Sequence, residues 1–268
     1  MSDVQASLQY LLADDAKPVL HASVGGGDTT QHSAAYEATP VTIHDGRVAE
    51  TPFSLEREGF ALVAQETAVE DFYDKAQIAE PYEAEVVALV KRVTGASHVH
   101  VFDHTLRADA QATQAARGIR EPAWFVHNDY TARSAARRVR DLMPAEVAEA
   151  RLSRRFAVIN VWRPVRGPVE STPLAVCDAQ SVAEEDIVVS ERRAKDRIGE
   201  IQLATFNPRH RWHYFPHMTR DEVLLIKTYD SAPGAQGRST IHAAFEDPTT
   251  PPGAPPRESI ETRTFAFF

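Results

Sequence analysis

Six strand-forming stretches in the second half of the chain constrain its fold more than any other feature. Residues 156–162, 174–177, 201–206, 223–229, 241–245 and 260–268 are short and rich in β-branched and aromatic side chains. Pro, Gly and Asp clusters separate them, and no helical pattern stands between one and the next. A parallel sheet needs a crossover, usually a helix, between successive strands, so a parallel α/β fold is a poor fit. Strands joined by irregular loops suit a sandwich or barrel. The expected fold is mainly β with flanking helices, a double-stranded β-helix of the jelly-roll type.

Upstream, the pattern is mixed. Residues 60–63 read as a strand. Residues 67–80 and 82–94 read as helices broken near Pro81, with Val86, Val87, Leu89, Val90 and Val93 as an apolar face. Asp45-Gly46 beside Val41-Thr42-Ile43 predicts a hairpin turn. Gly25-Gly26-Gly27 lacks the Lys-Ser/Thr of a phosphate-binding loop and reads as flexible. Residues 99–102 and 124–126 are strand-like, and a helix over 132–152 is interrupted at Pro144. These segments make one domain spanning 1–268. Residues 1–96 form an N-terminal elaboration with helices, and residues 97–268 form the jelly-roll core.

Charge and cysteine usage narrow the function. With 29 basic against 38 acidic residues the chain carries a formal charge of -9, no footprint for nucleic acid. The basic run from Arg133 to Arg140 is interleaved with alanine and reads as a solvated helix face. A single cysteine excludes an intramolecular disulfide, and Cys177 sits in an apolar run as a core residue. No stretch approaches the roughly 20 apolar residues of a membrane span. The first residues show no export signal, so the cytoplasm is the expected compartment.

The chemistry gathers around His127-Asn128-Asp129. A lone His-x-Asp is a weak signal, since about one arises by chance in a chain with 11 histidines. The bland alternative is a strand-to-helix connection with Asp129 or Thr131 as helix cap. In a strand, however, residues i and i+2 share a face, so His127 and Asp129 can point the same way. Downstream, a buried strand over 223–229 and a loop lead to His242, which opens Ala243-Ala244-Phe245. In a jelly roll that order returns a distant histidine beside the first pair. Two histidines and one carboxylate form the facial triad that holds non-haem Fe(II) with open positions. His210, His213 and His217 crowd one segment, and His210 or His213 is the fallback third ligand. Arg257 and Ser259 share one face at the start of the last strand. A guanidinium fork with a neighbouring hydroxyl suits the distal carboxylate of 2-oxoglutarate, with Arg263 as the alternative arginine.

Longer motifs carry a resemblance. HNDYT at 127–131, INVWRP at 159–164, PLAVCDA at 173–179, HRWHYFPHMTRDEVLLIKTYDS at 210–231, IHAAFEDP at 241–248 and PPRESIETR at 255–263 occur in order. Together they resemble the iron(II)/2-oxoglutarate oxygenases that include the cephalosporin 7α-hydroxylase component, fungal gibberellin-desaturase-like proteins and a fungal endoperoxide synthase. The resemblance implies a jelly roll using Fe(II), 2-oxoglutarate and O2 on a small-molecule substrate, often in secondary metabolism. By matching motif, it implies His127, Asp129 and His242 as ligands, and Arg257 and Ser259 as the cosubstrate grip. Reaction type, hydroxylation or desaturation, does not carry over. Trp124, Tyr130, Asn160, Arg163 and Trp212 are the residues expected at the substrate. Neither nucleic acid nor membrane is an expected partner, and a homodimer stays open. The rivals are a cupin-like metal enzyme that ignores 2-oxoglutarate and a non-catalytic jelly-roll binding protein.

Overall fold

The computed structural model describes residues 3–12, 18–22, 30–194 and 197–268. Its strands are β1 (Val4–Leu11), β2 (Val19–His21), β3 (Gln31–His32), β4 (Tyr36–Asp45), β5 (Phe60–Ala64), β6 (His98–Ala108), β7 (His127–Asn128) and β8 (Phe156–Pro164). They continue as β9 (Leu174–Cys177), β10 (Ile187–Ala194), β11 (Arg197–Ala204), β12 (Trp212–Tyr214), β13 (Glu222–Asp230), β14 (His242–Ala244) and β15 (Glu258–Phe267). The α-helices are α1 (Lys75–Gln77), α2 (Glu83–Thr94), α3 (Gln111–Arg117), α4 (Ala132–Leu142) and α5 (Ala145–Leu152).

The strands form two sheets. The larger runs β1-β4-β12-β9-β14-β7-β11-β10-β2-β3, and the smaller runs β5-β13-β8-β15-β6. Within them, β9-β14-β7-β11 faces β13-β8-β15-β6, and every adjacent pair in these quartets is antiparallel. The chain crosses from sheet to sheet at β4 to β5, β6 to β7, β7 to β8, β8 to β9, β12 to β13, β13 to β14 and β14 to β15. That winding is the double-stranded β-helix. Before this core, β1 and β4 extend the larger sheet and β5 extends the smaller one.

Burial explains why the later strands read as continuous apolar runs. All nine residues of β8 are buried. On one face, Ile159 and Val161 pack with Val86, Leu89 and Val90 of α2. On the other, Trp162 packs with Val176 of β9 and with Leu224 and Ile226 of β13, filling the space between the sheets. A strand covered on both sides has no reason to alternate.

Local chemistry accounts for the places where the structure departs from the expected elements. Asp45-Gly46 makes no hairpin. The Asp45 carboxylate accepts from Arg47 N at 2.9 Å and caps a 3₁₀ turn over Gly46–Val48. A Cβ on Gly46 would lie 2.6 Å from the Phe215 ring, so glycine is needed there for space. The helix expected over 67–80 shrinks to α1 and the short π-helical stretch Ile78–Tyr82 that follows it, kinked at Glu80. The side chains of Thr67 and Asp71 accept from Val69 N and Tyr73 N, offering the backbone turns that compete with a helix. Of the 124–126 strand, only an isolated bridge from Phe125 to Gln9 forms. The 132–152 helix divides at Pro144 into α4 and α5, as its sequence predicts. Gly25-Gly26-Gly27 lies outside the described residues.

Candidate metal centre and its cavity

β7 and β14 are neighbours in the larger sheet, and His242 is the register partner of His127. Asp129 follows directly on the connection into α4, where Thr131 caps the helix through a reciprocal bond with Ser134. Ligand atoms from His127, Asp129 and His242 all lie within 4.8 Å of one another. The Nε2 of His127 is 3.9 Å from Asp129 Oδ1.

Backbone carbonyls set both imidazoles. His127 Nδ1 lies 2.9 Å from Phe125 O, and His242 Nδ1 lies 3.0 Å from Thr240 O. A carbonyl only accepts, so each Nδ1 carries a hydrogen, and Nε2 is the ring nitrogen left over for a ligand. Asp129 is divided in the same way. Its Oδ2 accepts from Asn160 Nδ2 at 2.6 Å and from Arg263 Nε at 3.2 Å, which leaves Oδ1 for a ligand. Burial would raise the Asp129 carboxyl, but Arg263, the two histidines and the Asn160 bond hold it well below the usual carboxylate range. Burial and the adjacent His242 push His127 down to about 3. At neutral pH the cluster therefore offers a neutral His127 and a carboxylate beside the His242 imidazole. That donor set suits Fe(II) with part of its coordination left open.

Arg263 is fully committed within this network. It also donates to Asp103 Oδ2 at 2.6 Å and Thr105 Oγ1 at 2.9 Å, and it pairs with Glu261. Beside it opens a cavity of about 1320 Å³, bordered by His127, Asp129, Trp124, Tyr130, Phe102 and Arg107.

The structure brings some expected residues here and takes others away. Trp124 and Tyr130 border the cavity. Asn160 touches Asp129 rather than the open space. Arg163 is a correction: its Nη1 donates to Arg220 O at 2.5 Å and its guanidinium lies over the Tyr82 ring on the α2 side of the sheet. Period-two alternation sends Asn160 and Arg163 to opposite faces, a signal the sequence contained. Trp212 is a second correction. It is fully buried on the face of the larger sheet turned away from the cavity, and its Nε1 donates to Tyr10 Oη at 2.7 Å. His210 binds Asp186 and Tyr10, and His213 packs against Phe53 and Phe60, so neither joins the cluster.

Arg257 is 3% exposed and Ser259 is 1% exposed at the start of β15. Arg257 Nη1 donates to Thr172 O at 2.7 Å, while Arg257 Nε and Ser259 Oγ have no partner. Thr172 holds that carbonyl in place from a left-handed backbone, φ 47°, unusual for a β-branched residue. Its hydroxyl donates to Asp109. Arg107, which was not among the expected site residues, also borders the cavity. As register partner of Ser259 it lies on the same face, and alternation along β6 was the available clue.

This fold and cluster define a non-haem iron oxygenase. A family profile described as an oxidoreductase/YMDC permease-like domain matches residues 8–267. The hydroxylase/desaturase CTB9 of Cercospora beticola is 38% identical over 267 residues, covering 91% of this chain and 81% of CTB9. The Fe(II)/2-oxoglutarate-dependent dioxygenase nvfI of Aspergillus novofumigatus is 36% identical over 248 residues, covering 88% of this chain and 87% of its own. A solved structure of the iron and alpha-ketoglutarate-dependent endoperoxidase NvfI superposes with a TM-score of 0.86 at 29% identity, covering 99% of this chain and 98% of that one. The chain belongs to this family of Fe(II)/2-oxoglutarate-dependent hydroxylases, desaturases and dioxygenases. It is an oxidoreductase of jelly-roll fold that uses Fe(II), 2-oxoglutarate and O2.

Proposed function

We propose that His127, Asp129 and His242 hold the Fe(II), that Arg257 and Ser259 grip the distal carboxylate of 2-oxoglutarate, and that a secondary metabolite enters the cavity to be hydroxylated or desaturated. The observation that carries this reading is the ligand geometry. Both Nδ1 atoms and Asp129 Oδ2 are occupied by the protein, which leaves one donor atom on each residue, and ligand atoms of the three lie within 4.8 Å of one another. Bound iron supplies the O2 chemistry that couples decarboxylation of 2-oxoglutarate to succinate with C–H oxidation. The protein fixes tautomers, orients the carboxylate and walls off water with Trp124, Phe102 and Tyr130. Arg257 is preferred to Arg263 as the cosubstrate arginine because Arg263 already serves three carboxylates. Residues 97–268 are proposed as the catalytic core and 1–96 as its elaboration. A reducing, cytoplasmic setting agrees with the single cysteine, which is buried.

Anaerobic titration of the full chain with Fe(II) and then 2-oxoglutarate tests the reading. A weak visible metal-to-ligand absorption is expected only when both are present. Iron that binds without responding to 2-oxoglutarate would point to a cupin-like enzyme. A screen of candidate metabolites for stimulated succinate release then identifies the substrate class.

A further inference from the structure

Arg107 and Arg257 are two guanidinium groups close enough to repel one another, and no carboxylate pairs with either among the described residues. Arg107 is the register partner of Ser259, and Arg257 stands two residues before Ser259 at the entry to β15, so period two turns all three to one face of the smaller sheet. Among the described residues, neither arginine makes an ion pair. Arg107 Nη1 donates to Glu121 O at 2.7 Å and Arg257 Nη1 to Thr172 O at 2.7 Å, both backbone carbonyls. The nearby acids are engaged elsewhere: Glu261 with Arg263, and Asp109 with the Thr172 hydroxyl. Burial lowers the Arg107 guanidinium, and Arg263 and Arg120 lower it further against the opposing pull of Glu261. Burial and then Arg107 lower Arg257 to about 10 against the opposing pull of Asp109 and Glu261, so the two cations feel one another. Two like charges held near each other in a low-dielectric interior are costly unless an anion neutralises them. Two donors beside them, Arg257 Nε and Ser259 Oγ, are buried with nothing to bind. The cluster thus lacks one anionic acceptor with several lone pairs, which a carboxylate provides.

We infer that Arg107 is the second guanidinium of a clamp for the distal carboxylate of 2-oxoglutarate, closing on it from the cavity side while Arg257 and Ser259 hold it from within. This rests on the assignment of Arg257 and Ser259 to the cosubstrate. Arg107 borders the cavity and Arg257 does not, so Arg107 stands between the clamp and the open space. Its consequence is selectivity. A 2-oxo acid with one carboxylate can chelate the metal yet leaves both guanidiniums unneutralised.

The test compares 2-oxoglutarate with 2-oxobutyrate, which lacks the distal carboxylate. Calorimetry or competition binding on the full chain loaded with Mn(II), without turnover, measures both affinities. Arg107→Gln is expected to weaken 2-oxoglutarate by about tenfold or more, the size of one charge-assisted hydrogen bond, and to leave 2-oxobutyrate within about twofold. Arg107→Lys is expected to restore part of the loss. Unchanged Mn(II) affinity and circular dichroism certify an intact fold. Unaltered 2-oxoglutarate binding in Arg107→Gln, or equal weakening of both acids, overturns the inference. If Arg257→Gln and Ser259→Ala lose the preference for the dicarboxylate while Arg107→Gln keeps it, Arg107 alone is excluded. If none of the three variants alters the preference, the assignment of Arg257 and Ser259 fails as well.

Discussion

At the scale of single residues, the candidate centre is shaped as much by what the proposed ligands are tied to as by those ligands themselves. Asn160 acts only through Asp129 Oδ2, which it binds at 2.6 Å. Removing that bond frees the carboxylate to rotate and gives Arg263 sole control of it. Asn160→Ala is therefore expected to weaken Mn(II) or Fe(II) binding by about 10–100-fold, the usual cost of losing an outer-shell partner. Anaerobic metal titration measures it, with Arg163→Ala as the control expected to leave metal affinity unchanged. His127-x-Asp129 was legible because period two puts both on one side of an extended chain. Arg107 was not, because its meaning depends on Ser259, a residue distant in sequence and adjacent only across a strand pair.

At the scale of elements, α4 is anchored by Thr131. Its hydroxyl serves Ser134 N at 3.0 Å and Glu200 Oε2 at 2.8 Å, joining the helix to β11 beside the cavity. Thr131→Ala is expected to cost about 1 kcal/mol, read as a lower urea midpoint at unchanged slope. β12 offers a pH test. His213 lies on it between the sheets, and burial together with His44 pushes its pKa from 6.5 down to about 4. The unfolded chain takes up a proton near pH 6.5 that the folded chain refuses until about pH 4. Stability from this residue is therefore full above pH 6.5 and is lost as pH falls toward 4. His213→Gln should show a shallower fall in Tm across that window, measured by calorimetry with the wild-type protein beside it. The expected helix over 67–80 failed where Thr67 and Asp71 bind their own backbone, while β8 and β13 were easy to see because both faces of each are covered.

At the scale of the whole molecule, the proposed ligands come from two pieces of chain far apart in sequence, the exit of β7 and the start of β14, so metal binding and folding are coupled. Saturating Mn(II) is expected to raise Tm, and chelation to reverse the rise, because only the folded state assembles the site. In His242→Ala the shift should disappear; if it persists undiminished, the ligand set proposed above is wrong. No helix among the described residues is long and apolar enough to cross a membrane.

Local pattern alone determined the β-rich class, the α4–α5 break at Pro144 and the pairing of His127 with Asp129, because each depends on neighbours within a few residues. Longer motifs carried the family resemblance. Tertiary structure decided the rest. It paired His242 with His127, turned Arg163 and Trp212 away from the cavity, and set Arg107 beside Arg257. Those outcomes follow from strand register and from which sheet face is covered, and both arise only when segments distant in the chain pack together.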